Sequence, residues 1–206
     1  MPGVSTEMKE QLGKNIATIK ANEAKIELAA SKFHTLAHRA PTADHDITAH
    51  KAKVVDLTGR QTRLEVGGTD DKRYQILKEE IRVEMSETGP KLLKRVEAEY
   101  TNFTEDGWME SVHDTAGHQA DLSHFDSTFK GVLKKIVLDH GANDHGDTQL
   151  TDGTHCKHWV SGSERIFGNY TNGHLVFIGH GRHTGSGNSQ YNVTLVRGGT
   201  TKATTA

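Results

Sequence analysis

Cysteine is nearly absent from this chain. Cys156 is the only one in 206 residues, so no internal disulfide can form and no multi-thiolate metal site can be built from this chain alone. That usage fits folding in a reducing compartment. An excess of charge of either sign is also lacking: 25 Lys and Arg stand against 27 Asp and Glu, a formal charge of -2. A bulk electrostatic hold on nucleic acid or membrane is thereby excluded, and any polyanionic substrate has to be gripped by a local cationic site. Long apolar runs are missing too. No segment approaches the roughly 20 apolar residues of a membrane span, and the opening MPGVSTEMKEQL has no basic stretch followed by an apolar core. The expectation is a chain that touches no membrane and acts in a cytoplasm, either its own or that of a target cell reached without a classical signal peptide. Hydrophobic residues make up 33% and the mean hydropathy is -0.64, values low for one large core. Two modest pieces are expected.

What is present differs between the two halves. From Thr6 to about His38, apolar residues fall at Met8, Leu12, Ile16, Ile19, Ile26, Phe33 and Leu36 with Lys, Glu, Asn and Gln between them. This is the spacing of one helical stripe, with Ser5 or Thr6 to cap its start and Pro41 to close it. Asp44 to Leu64 is a weaker helical segment ending at Gly67 and Gly68. Asp70 to Glu87 puts Tyr74, Leu77, Ile81 and Met85 on one face, Gly89 and Pro90 punctuate, and Leu92, Leu93, Val96 and Tyr100 make a third face. A helical hairpin or bundle over residues 1–104 follows, serving docking, assembly or delivery and offering a surface for self-association.

Residues 101–121, with Trp108 in a polar setting, are expected to be a connector. Leu122 to Leu138 carries Phe125, Phe129, Val132, Leu133, Ile136 and Val137 among Lys130, Lys134 and Lys135, the pattern of a short amphipathic helix. Asp139 to Gly153 is expected to be a loop. Four β-prone runs come next: His158–Val160, Arg165–Tyr170, His174–Gly179 and Tyr191–Val196. Asn172-Gly173 between two of them is a strong hairpin signal. The fold class is α+β, with a small antiparallel sheet of about four strands packed on a helix in a domain over 121–206, and a further strand possible in the last residues.

Chemistry gathers in this second half. Eight of the fourteen histidines lie beyond residue 120, and imidazole titrates near neutrality, which suits proton transfer or metal ligation. The sharpest feature is Gly179-His180-Gly181-Arg182-His183-Thr184-Gly185, which follows the apolar strand Leu175–Ile178. Glycines there leave the backbone open to a ligand, Arg182 can pair with a phosphate in two-pronged fashion, and His180 or His183 can move a proton. Arg165, preceded by Glu164, lies on the neighbouring strand, and two converging arginines would stabilise a pentavalent phosphorane while a histidine or Glu164 acts as base. Tyr170 and Tyr191 are candidates to stack a nucleobase, and Lys157 and His158 complete the candidate substrate-binding set. A metal reading draws on Asp139, His140, Asp144, His145 and Asp147, or on His155, Cys156 and His158, but none of these has a helical HExxH or paired CxxC spacing. The expectation is therefore no metal and no cofactor. A phosphate loop is excluded because GHGRHTGSG lacks the Lys-Ser/Thr ending, and Ser161-Gly162-Ser163 does not make a nucleophile elbow.

The amphipathic Lys-bearing helix, the run HWVSGSERIFGNYTNGHLVFIGHGRHTG and the later Tyr191 together resemble the compact RNA-cleaving toxins of the RelE type. More broadly they are similar to the ribonuclease modules that end bacterial polymorphic toxins. The likeness covers residues 122–196. It implies a metal-independent endoribonuclease toxin acting on RNA, such as a tRNA or ribosome-bound mRNA, and held in check by a cognate immunity protein or antitoxin. It also implies Arg165 and Arg182 at the phosphate and His180 or His183 as acid or base. The family's first strand, before the helix, has no evident counterpart around Trp108 to Val112, and the helical half is foreign to stand-alone toxins of this type. Two other classes stay open: a non-enzymatic assembly protein with a helical oligomerisation segment, and a His/Asp metal-dependent hydrolase.

Overall fold

The structure is a computed structural model that describes residues 4–66, 71–141, 148–150, 157–184, 190–198 and 200–205. It is α+β and divides into two compact units, one comprising residues 1–35 and 39–101 and the other 36–38 and 102–206.

In the first unit the apolar stripes become helices: α1 (Thr6–Ala37), α2 (Asp44–Val66), α3 (Asp71–Val83) and α4 (Gly89–Glu105). Ser5 caps α1, its hydroxyl accepting from the Met8 N–H at 3.2 Å, which satisfies one of the donors that a helix start leaves over. Thr42, just before α2, donates its N–H and hydroxyl to the Glu99 carboxylate at 3.0 Å. One buried cluster joins Leu12, Ile16 and Ile19 of α1, Val54 and Leu57 of α2, and Tyr74, Leu77 and Ile81 of α3. A second joins Ile26 of α1, Ala43 and Ile47 at the start of α2, and Leu92 and Val96 of α4. The pairing of early α1 with late α2, and of late α1 with early α2, sets those two helices antiparallel. The α3–α4 rod then runs alongside both as the third member of an up-down-up bundle.

The expectation that Gly89-Pro90 breaks this rod is corrected. Between α3 and α4 the chain makes a single π-helical turn, Glu84–Thr88, closed by the Gly89 N–H donating to the Glu84 carbonyl. The wider turn carries the helix across to Pro90, whose missing N–H is harmless in the first turn of α4.

In the second unit a short 3-10 turn, Gly107–Ser111, leads into β1 (Val112–His113). Trp108 is therefore no part of a loose connector: it is buried, and its indole N–H donates to the Glu105 carbonyl. The helix α5 (Ser127–Leu138) begins at Asp126, whose side chain accepts from the Phe129 N–H at 2.8 Å. It buries Phe129, Leu133, Ile136 and Val137. The remaining strands are β2 (Thr148–Leu150), β3 (Lys157–Ser161), β4 (Glu164–Thr171), β5 (His174–His183), β6 (Gln190–Leu195) and β7 (Thr200–Thr205). They pair antiparallel in the order β2-β7-β6-β5-β4-β3, and β1 adds to β5 in parallel. The four expected strands correspond to β3 to β6, and the chain end supplies β7. The sheet is larger than expected because β2 falls within the stretch expected to be loop and β1 within the expected connector. Asn172 and Gly173 both take positive φ, as the tight β4–β5 hairpin requires.

The β4–β5 register carries one irregularity. Phe167 pairs with Gly179, but Gly168 pairs with Phe177, so Ile178 is an extra residue on β5. This bulge keeps Phe177 and His180 on one face of the sheet, although three positions separate them. On that face Phe125 and Phe129 meet Phe177, with ring centroids 5.5 and 5.8 Å apart. The other face buries Phe167, Ile178, Tyr191 and Val193.

Candidate functional site

Successive side chains of a strand point to opposite faces, so the β4–β5 and β5–β6 registers sort the candidate residues. Glu164 is opposite Arg182, Ile166 is opposite His180, and across the next pair Arg182 and His180 meet Asn192 and Thr194. Glu164, His180, Arg182, Asn192 and Thr194 therefore share the face that carries Phe125 and Phe129. Arg165, which pairs with Gly181, and His183, which pairs with Tyr191, belong to the reverse face.

The expected convergence of Arg165 with Arg182, and of His183 with His180, is thus corrected by strand parity. Arg165 is tied to its own turn, one guanidinium nitrogen donating to the Gly162 and Glu164 carbonyls at 2.9 and 2.8 Å. The His183 ring lies edge-on to Tyr191 at 5.1 Å, and Tyr191 in turn meets Phe167 at 5.6 Å. Tyr191 is buried, which makes it part of the reverse-face core and removes it from the stacking role. Tyr170 does share the helix-bearing face, but it is six positions along β4 from Glu164, about 20 Å at roughly 3.3 Å per residue. There it stacks on His140, and burial raises its phenol above the usual range. It has no reach to Glu164. The side chains of Lys157 and His158, and the residues Asp144, His145, Asp147, His155 and Cys156, lie outside those described. Among the described residues no group of three His, Cys, Asp or Glu could hold a metal ion.

What remains together is Glu164, His180 and Arg182. His180 Nδ1 is 3.8 Å from Glu164 Oε1, with the two side chains 33% and 27% exposed. They are sheltered yet reachable, as proton-transfer groups must be. Phe125 and Phe129 stack on each other at 4.3 Å and present their edges to the imidazole at 5.3 and 5.5 Å, which limits how the ring can turn. Arg182 is exposed beside them. The flanking glycines serve packing and not ligand access: a Cβ on Gly181 would come within 2.1 Å of the Asn192 carbonyl, and one on Gly179 within 2.4 Å of the Thr194 carbonyl. Gly-His-Gly is what lets β6 lie close against β5 while His180 projects from it.

Phe125, Phe129, Asn192 and Thr194 were not among the sequence candidates. The first two announce only an apolar helix stripe. The last two could have been found only with the β5–β6 register in hand, which the sequence does not print. No helix among the described residues is long and apolar enough to cross a membrane. No protein-family model matches the chain, nor does any curated protein or solved structure.

Proposed function

We propose that the second unit is a metal-independent endoribonuclease, acting as a bacterial toxin on RNA. The observation that carries this reading is the grouping of Glu164, His180 and Arg182 on one sheet face, with His180 wedged by two phenyl rings and 3.8 Å from the carboxylate. The Glu164 carboxylate takes the proton of an RNA 2'-hydroxyl as O2' bonds to phosphorus. Arg182 holds the charge that develops on the phosphoryl oxygens, and the His180 imidazolium gives its proton to the departing O5'. The products are a 2',3'-cyclic phosphate and a 5'-hydroxyl. Arg165 and His183 have no part in this scheme. The near-neutral net charge suits a short substrate segment held by few phosphate contacts better than a long duplex footprint. An immunity protein or antitoxin is the partner such an activity requires.

The test is degradation of RNA by the purified protein with and without chelator. His180→Ala and Arg182→Ala are expected to abolish cleavage with an unchanged far-UV spectrum, and EDTA is expected to have no effect. Cleavage that survives in either variant removes the proposal.

A second reading, an assembly protein, is favoured by one observation on the helical unit. Leu28, Val55 and Ile76 are 58%, 72% and 48% exposed, which leaves one large apolar side chain open to a partner on each of α1, α2 and α3. Expression in bacteria separates the two, because a ribonuclease arrests growth whereas a scaffold does not.

A further inference from the structure

The helical unit has an open groove between α1 and α4 that neither its buried clusters nor the proposed chemistry uses. Lys25, Leu28, Ala29 and Lys32 form its α1 wall and Glu97 and Tyr100 its α4 wall, with about 560 Å3 between them. The α1 residues recur at three, four and seven positions from Lys25, the spacing of a single helical stripe. This stripe lies beside the one that buries Ile26 and Phe33. Within the groove Leu28 is 58% and Tyr100 36% exposed, and the small side chain of Ala29 leaves a low floor between them. Two large apolar side chains lining one groove make a patch, which marks a surface for a partner better than single scattered residues do.

The two rims of the groove carry opposite charge. Lys25 and Lys32 stand on the α1 rim and Glu97 on the α4 rim, and none of the three makes an ion pair among the described residues. Elsewhere on the bundle comparable groups are engaged, as Lys51 is by Glu27 and Arg95 by Asp46. In the up-down-up bundle α1 and α4 run in the same direction, and Ile26 of α1 shares a cluster with Leu92 and Val96 of α4. Counting along both helices from that level, with equal rise per residue, sets Glu97 at a height between Lys25 and Lys32.

We infer that this groove is the contact between two copies of the chain, related by a two-fold axis that runs along the helices. Such an axis sets α1 of each copy against α4 of the other. Glu97 of one copy then stands between Lys25 and Lys32 of its partner, twice over, and Leu28 and Tyr100 of both copies fill the centre of a four-helix arrangement. An axis across the helices would instead set Lys25 against the partner's Lys32 and α4 against α4, an alignment that opposed like charges disfavour. A basic rim beside an acidic rim is its own complement under the first operation, which is the ground for naming a second copy as the occupant. The 17 residues of α4 give about 25 Å of helix, and two helices side by side offer roughly 500 Å2 to a partner. Stable interfaces cover about 800 Å2 on each side, so this dimer is a weak and reversible one. The contact lies wholly within the helical unit and holds whether or not the second unit cleaves RNA.

The experiment is sedimentation velocity on the full chain from about 1 to 300 μM, the range that a contact of this size calls for. The expected result is a rise with concentration from the 22.6 kDa monomer toward twice that mass. Lys25→Glu combined with Lys32→Glu, and separately Glu97→Lys, set like charges face to face and should each weaken association by about tenfold or more. Mixed in equal amounts, these two variants should pair again, because both contacts of the mixed dimer then join opposite charges. All three side chains are exposed, so the variants keep the fold, and far-UV spectra check this. A chain that stays monomeric throughout, variants that associate as the parent does, or a mixture that fails to recover would each overturn the inference.

Discussion

His180 Nδ1 stands 3.8 Å from Glu164 Oε1 across the β4–β5 pair, whereas His183, three positions on, belongs to the opposite face of the same strand. If RNA cleavage runs through the first pair, Glu164→Gln should lower the initial rate by about a hundredfold or more, the usual range for losing a positioned base. His183→Ala should leave the rate nearly unchanged, since its ring packs against Tyr191 on the reverse face of the sheet. Rates on a fluorogenic RNA oligonucleotide measure both. Equal loss in the two variants would contradict the assignment by face.

Gly181→Ala should destabilise the second unit. The added methyl meets the Asn192 carbonyl at 2.1 Å, and that atom belongs to the backbone of a paired strand, so it cannot swing aside. Overpacking of this kind costs about 1–3 kcal/mol. Urea unfolding monitored by Trp fluorescence should show the lowered midpoint. An unchanged midpoint would mean that β6 does not press on β5 as described.

Acid should weaken the helical unit through Glu80. Arg60 bonds its carboxylate at 2.7 and 3.1 Å, Lys53 adds a second contact, and together they hold its pKa at about 2. In the unfolded chain the group titrates near its ordinary value, about 4.3. The depressed folded value means that stability from this cluster is complete above the unfolded pKa and is lost as pH falls from there toward 2. Glu80→Gln should be less stable than the parent near neutrality, and the gap should close through that acid range. Thermal midpoints measured at several pH values decide it, and a gap independent of pH would contradict the cluster's role.

Asp126→Ala should cost about 1 kcal/mol, the usual value of an N-cap, because the Asp126 side chain satisfies the Phe129 N–H. Since Phe129 also presses on His180, the same variant should loosen the imidazole. NMR line widths of the His180 ring would report this. Unaltered stability and line widths together would argue against the cap.

The helices were legible because their stripes repeat: Leu12, Ile16 and Ile19, then Tyr74, Leu77 and Ile81, are buried where the period put them. The hairpin at Asn172-Gly173 was legible because its turn demands positive φ from both residues. The π turn was not, since the pattern through Met85 to Leu92 looks like a Gly-Pro stop, and only the backbone bond from the Gly89 N–H to the Glu84 carbonyl reveals a continuous rod. Strand β1 is two residues long, below any periodicity. The candidate cluster failed in part for a related reason. Proximity along the chain placed Glu164 beside Arg165 and Arg182 beside His183, but neighbours in a strand project to opposite sides, so each adjacent pair was split.

Ile178, the extra residue of β5, acts as a frame-setting insertion. Were it fitted into plain alternation with no bulge, a strand that kept Leu175 and Phe177 against α5 would turn His180 and Arg182 to the far side and bring Gly179, Gly181 and His183 forward in their place. Loss of that one residue would return β5 to plain alternation and leave His180 and Arg182 on the Phe177 face. The face that His180 and Arg182 take is thus set by the bulge and not by the identity of the bulged side chain, and Ile178→Val should be tolerated.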